Sequence, residues 1–142
     1  MEKLSGSCLC GGVQFVVRGP FRPVIACHCT QCRKHTGHYM AASAVLNENF
    51  ALIEDRGLKW YRSGPASRRG FCGDCGATLF FAADGSDRIS FAGGSIDGPT
   101  DLQLSAHIYA GEKSDYYTIP TGELTYAGDC AAILQVTQED GR

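Results

Sequence analysis

Apolar residues fall in short runs along this chain, most of them with a period of two. Val13, Phe15 and Val17 alternate with Gln14 and Arg18, the pattern of a strand with one buried face, broken locally by Val16. Leu102, Leu104, Ala106 and Ile108 share one face of a second such segment, and Gln103, Ser105, His107 and Tyr109 share the other. Residues 58–62, 77–82 and 88–92 are strand-like as well, being rich in aromatic and branched side chains. Turn chemistry separates these runs, at Ser63-Gly64-Pro65, at Ala83-Asp84-Gly85-Ser86 and at Asp97-Gly98-Pro99. No stretch keeps a 3.6-residue apolar period for three turns. The helical candidate is one or two turns after Cys29, running through Arg33 and Lys34 and stopped by Gly37. The pattern predicts a mainly β single domain with at most short helical turns, its cysteines carried in turns.

Length and composition narrow the class. A chain of 142 residues, 44% hydrophobic and 20% charged, has the content of one globular domain and no second core. No apolar run approaches the roughly 20 residues that span a bilayer, so no membrane partner is expected. The opening Met-Glu-Lys-Leu-Ser-Gly lacks an apolar signal core, which leads to the expectation of a cytoplasmic protein. A formal charge of −2 argues against a dedicated nucleic-acid binder. The final residues, Gln138 to Arg142, read as a frayed end.

Eight cysteines change the picture most. Seven fall into three tight groups: Cys8-Leu9-Cys10-Gly11, Cys27-His28-Cys29-Thr30-Gln31-Cys32, and Cys72-Gly73-Asp74-Cys75-Gly76. A C-x-x-C turn converges two thiolates on one tetrahedral ion, and glycine after the second cysteine suits the tight knuckle. Thiolates favour zinc over hard cations. Residues i and i+2 of an extended segment share a face, so Cys27 and Cys29 point one way and His28 the other. Adding Cys32 gives a three-thiolate site, and Cys8, Cys10, Cys72 and Cys75 form a closed four-thiolate site. A rival division joins Cys29/Cys32 to Cys72/Cys75 as a zinc ribbon. Three protein ligands leave a coordination position for substrate, whereas four fix structure. The plain alternative is two structural ions, with Cys130 or a histidine in the fourth place of the second site. On the expected loading, seven thiolates and two zinc ions add −7 + 4 = −3, bringing the chain's −2 to about −5.

These groups, with Arg33-Lys34-His35-Thr36-Gly37 after the second and Phe71 before the third, resemble the glutathione-dependent formaldehyde-activating (GFA) family, which includes centromere protein V. His107-Ile108-Tyr109, Asp115-Tyr116-Tyr117 and Ile119-Pro120 are similar to its C-terminal part, so the likeness runs over residues 5–128, with 129–142 as an extension of the same domain. The resemblance implies a β-tent fold, a structural zinc at Cys8, Cys10, Cys72 and Cys75, and a catalytic zinc at Cys27, Cys29 and Cys32. It implies a carbon–sulfur lyase-type enzyme that combines glutathione and formaldehyde as S-(hydroxymethyl)glutathione. This chain carries Ser114-Asp115-Tyr116-Tyr117 where the family often has a Trp-Tyr pair, a change expected at the pocket wall.

Other side chains are weighed against blander roles. Arg33 and Lys34 follow the second knuckle and are candidates to attract an anionic thiol such as glutathione, although paired surface cations are commonly just solvated. Arg68 and Arg69 precede Cys72 and are weaker candidates for the same role. His28 is expected to hydrogen-bond away from the metal, and His35 and His38 are candidates for a base near the open site, although flanking surface histidines are commoner. Cys130 is expected to be a small core residue. The leading function is a zinc enzyme acting on a small thiol and an aldehyde. The competing ones are a non-catalytic zinc-stabilised binding module and a redox-sensing zinc switch.

Overall fold

Alternation at Val13, Phe15 and Val17 does what period two requires: all three are buried, and Gln14 and Arg18 between and after them are exposed. They belong to β2 (Gln14–Arg18), which pairs antiparallel with β1 (Lys3–Ser7) and β5 (Phe50–Glu54). This three-stranded sheet lays its apolar side on a larger one. The structure is a computed structural model and describes residues 2–137, so the fraying expected at Gln138 to Arg142 lies outside the described residues.

The larger sheet has seven strands. They are β3 (Val24–Cys27), β4 (Met40–Leu46), β6 (Leu58–Gly64), β7 (Ser67–Cys72), β8 (Thr78–Ala83), β9 (Arg88–Ala92) and β10 (Leu104–Ile108). Their order is β10-β3-β4-β9-β8-β7-β6, with β10 parallel to β3 and every other pair antiparallel. One face packs Val45, Phe80 and Phe91 against Phe15 and Val17 of the small sheet. The rings of Phe15 and Phe80 meet edge to face with centroids 5.0 Å apart, and Phe50 closes on Phe80 at 5.1 Å. The other face of the large sheet is left to line a cleft.

The expectation of a mainly β fold with short helical turns holds. The helix α1 (Thr30–Thr36) begins after Cys29, whose sulfur caps it by accepting from the Cys32 N–H. It ends at Gly37 with φ +88°, a conformation glycine takes without steric penalty. The remaining helical pieces are single 3-10 turns. One strand departs from its pattern. In β10, Leu104 and Ser105 are both exposed, while Ala106, His107 and Ile108 are all buried. A register shift between Leu104 and Ala106 breaks the alternation, residues 124–126 pair along the open edge of β10 at His107, and the His107 ring is buried against His28 and Glu123. Cys130 is also not in the core. It is half-buried on a C-terminal segment, its N–H donating to the neighbouring Asp129 carboxylate.

Candidate metal centres and cleft

The first cysteine group is assembled from two turns far apart in sequence. Cys8 and Cys10 follow β1, Cys72 ends β7, and Cys75 lies in the turn after it. All four sulfurs lie within 4.8 Å of one another. Zinc–sulfur bonds of about 2.3 Å in a tetrahedron place sulfurs about 3.8 Å apart. Cys8 and Cys10 are separated by 3.8 Å and Cys10 and Cys72 by 3.7 Å, so the donors stand at that spacing. Gly11 and Gly76, one after each second cysteine, have φ +81° and +80°, as the knuckle predicts. The Val13 N–H donates to the Cys8 sulfur at 3.2 Å. Hydrogen bonds from the backbone at Ala77, and then at Cys10, hold the Cys75 thiol down at about 6. Four convergent thiols with N–H donors aimed at them fit a closed metal site.

The second group is local. Cys27 ends β3, Cys29 caps α1, and Cys32 lies in its first turn, the three sulfurs again within 4.8 Å of one another. The two groups are separate clusters, so the zinc-ribbon division is not adopted. No fourth cysteine, histidine or carboxylate joins the trio among the described residues. The Cys29 thiol is held down at about 2, first by the hydrogen bond from Cys27 and then by that from Cys32; Cys27 is pushed up by its contacts with Cys29 and then Cys32. One negative charge is shared among three sulfurs, and further thiolates require a cation between them. The donor set therefore fits a thiophilic ion with one position left open.

A residue given little weight in the sequence stands beside this trio. Arg69, on β7, is buried and donates from Nη2 to the Cys32 sulfur at 3.3 Å and from Nε to Gln31 Oε1 at 2.8 Å. Its guanidinium also lies over the Phe81 ring at 5.0 Å. The only signal for it in the chain is its place before Phe71 and Cys72, which does not say that β7 brings it across to α1.

The histidines divide as follows. His28 is buried on the far side of its strand from the sulfurs, in a chain of hydrogen bonds. His107 Nε2 meets the Glu123 carboxylate at 2.7 Å, His28 Nε2 meets His107 Nδ1 at 2.9 Å, and His28 Nδ1 meets the Tyr117 hydroxyl. A carboxylate can only accept, so with both rings neutral each donates towards it: Tyr117 to His28, His28 to His107, His107 to Glu123. Burial first, then the charges of His107 and His38, hold His28 at about 4. His38 is exposed, bonded to the Tyr116 hydroxyl, and is not among the residues lining the cleft. Nor are Tyr116 and Tyr117, so the departure from the family's Trp-Tyr pair falls behind the cleft rather than on its wall. His35 does line it, and its Nε2 is buried with no hydrogen-bond partner among the described residues.

The trio opens into a cleft of about 1020 Å³ on the free face of the seven-stranded sheet. Lining residues sit two apart on each strand, as one pleated face demands: Ile25 and Cys27, Met40 and Ala42, Ser67 and Arg69. Lys34 lines it from α1, while Arg33 turns aside and donates from Nε to the Glu112 carbonyl at 3.0 Å. Asp129 and Leu134 of the C-terminal segment complete the wall.

Comparison with known proteins now decides the family. The sequence profile described as glutathione-dependent formaldehyde-activating enzyme matches residues 3–112, a span that includes all seven clustered cysteines. The chain belongs to this GFA family. An uncharacterized lyase of Schizosaccharomyces pombe is 26% identical over 121 residues, covering 82% of this chain and 85% of that protein. A crystal structure of a Rhodobacter sphaeroides protein shares the fold with a TM-score of 0.58 at 18% identity, covering 87% of this chain and 99% of that one. Asp129 and Leu134 lie beyond the span that the GFA profile matches. Among the described residues no helix is long and apolar enough to cross a membrane.

Proposed function

We propose that the protein is a zinc-dependent carbon–sulfur lyase-type enzyme, joining a small thiol such as glutathione to an aldehyde as the S-(hydroxymethyl) adduct and running the reverse cleavage. The observation that carries this reading is the three-cysteine cluster, lacking a fourth protein ligand and opening into a cleft. Membership of the GFA family and the lyase relative support it. Cys8, Cys10, Cys72 and Cys75 would hold a structural zinc, and Cys27, Cys29 and Cys32 a catalytic one. Bound at the trio, zinc supplies positive charge and an open position that favours the deprotonated form of an incoming thiol.

The chain's own groups do the positioning. Arg69 offsets the negative charge of the three thiolates through Cys32. Lys34 at the rim, with the charge of Arg33 on the same helix, draws in an anionic thiol. The cleft walls orient the sulfur towards the aldehyde carbon and replace a chance encounter with a held one. In the forward direction a sulfur–carbon bond forms, the carbonyl π pair moves to oxygen, and the proton lost from sulfur ends on that oxygen. A holoprotein near −5 has no use for nucleic acid, and thiolate ligands suit the reducing cytoplasm.

The test is adduct formation from glutathione and formaldehyde by zinc-loaded protein, with Cys29→Ser as control. A rate above the spontaneous one, lost in Cys29→Ser, supports the enzyme. No excess with glutathione or any other small thiol sinks it and leaves a zinc-stabilised binding module.

A further inference from the structure

The cleft is much larger and more apolar than a thiol and a one-carbon aldehyde require. Sites matched to drug-sized ligands occupy roughly 300–1,000 Å³ and bury most of the ligand surface, and this cleft stands at the top of that range with about 1020 Å³. Its floor runs well away from the sulfurs. Cys27 pairs with Met40 at one end of β4, and Ser90 pairs with Ala44, four residues further along. At about 3.3 Å per residue, that level lies about 13 Å from the trio. Phe81 is next to Ser90 on the neighbouring strand, but its ring lies under the Arg69 guanidinium that reaches the Cys32 sulfur, so it is Ala83, two residues further along β8, that continues the floor away from the trio.

The chemistry of the floor matters as much as its length. Ile25, Met40, Ala42, Ala83 and Leu134 present hydrocarbon to the cleft. Three guanidiniums also line it, Arg22 on the Ala42 and Leu134 carbonyls, Arg69 on Cys32 and over Phe81, and Arg88 on Asp87. A glutathione peptide has two carboxylates and an ammonium and gains little from the hydrocarbon; Lys34 at the rim suits it better, the three arginines being engaged by the protein's own groups. An apolar group attached to the sulfur-bound carbon would leave water by lying on that floor.

Resting on the thiol–aldehyde reading above, we propose that the preferred electrophile is an aldehyde with an aromatic or medium-chain aliphatic body, its adduct reaching from the cysteine trio across Ala42 towards Ser90 and Ala83. The reaction balances as for the one-carbon case: R–SH and R′–CHO give R–S–CH(OH)–R′, with the thiol proton moved to oxygen and no oxidant or reductant consumed.

Binding is measured first, without turnover. Isothermal titration of the zinc-loaded protein with S-methylglutathione and S-hexylglutathione is expected to show the hexyl thioether at least tenfold tighter. Ser90→Phe, which fills the floor far from the sulfurs, is expected to bring that ratio close to one. Ala83→Phe, at the outer end of β8 on the same lining face, gives a second variant if the first does not fold. Equal affinity for the two thioethers, no binding of either, or a ratio unmoved by both substitutions overturns the proposal. Rates with glutathione and either formaldehyde or hexanal then separate the two readings. Acceleration of formaldehyde alone refutes the larger electrophile and keeps the enzyme. A hexyl preference in binding with neither aldehyde accelerated refutes the enzyme and keeps the cleft's selectivity.

Discussion

Replacing Arg69 by methionine tests how the trio tolerates three thiolates. Methionine fills much of the space of the buried side chain but carries neither charge nor N–H donor. The change removes the buried 3.3 Å contact to the Cys32 sulfur and the half-buried 2.8 Å contact to Gln31. Hydrogen bonds that orient a ligating side chain are commonly worth 10–100-fold in metal affinity, or about 1.4–2.8 kcal/mol. The four-cysteine site lies in a different cluster and has no contact of this kind with Arg69. A chelator-competition titration of the two-zinc protein should therefore become more strongly biphasic, with the weaker ion loosened 10–100-fold and the tighter one unchanged. Arg69→Lys keeps a charge without the planar fork and should recover part of the loss. If both ions weaken equally, Arg69 acts by holding the sheet together. If neither weakens, its contact with Cys32 contributes nothing to binding.

Three further outcomes can be checked. Gly57→Ala places a Cβ 2.8 Å from the buried Cys72 sulfur, so it should cost about 1–3 kcal/mol in denaturant unfolding and weaken the four-cysteine ion while sparing the other. Chelator treatment should abolish cooperative melting once the four-cysteine ion is removed, because binding at such sites contributes folding free energy directly; unchanged melting after proven removal would refute this. His28 stands at about 4 in the fold against 6.5 unfolded, so the unfolded chain binds the extra proton between those values. Its contribution is complete above pH 6.5 and fades as pH falls towards 4. The stability gap between wild type and His28→Gln should narrow by about 2 kcal/mol between pH 7 and pH 5, and a constant gap would disprove the neutral ring.

Local chemistry was legible because it depends on near neighbours. The Cys27/Cys29/Cys32 trio spans six residues, so strand geometry and one helical turn suffice to converge its sulfurs. The glycines after Cys10 and Cys75 announced positive φ, and the helix after Cys29 stops at Gly37 as read. β2 was clear from its strict alternation. β10 was not, since its polar His107 is buried against His28 and Glu123 and its register slips after Leu104. Residue type alone points Cys130 to the core, but residue type does not say whether a second layer of chain arrives to cover it.

The sequence by itself determined which atoms bind: seven thiols in three groups, with the turns that aim them. Pairing the first group with the third followed from counting ligands, and the fold realises it by bringing the end of β1 beside the end of β7. Tertiary structure alone decided what surrounds the second site. Arg69 is 37 residues from Cys32, and the cleft floor takes alternate residues from most strands of a sheet whose order is not the chain's. Spacing along a chain encodes contacts within a turn or two. Contacts between strands depend on register and order, which are settled only when the two sheets bury their shared face.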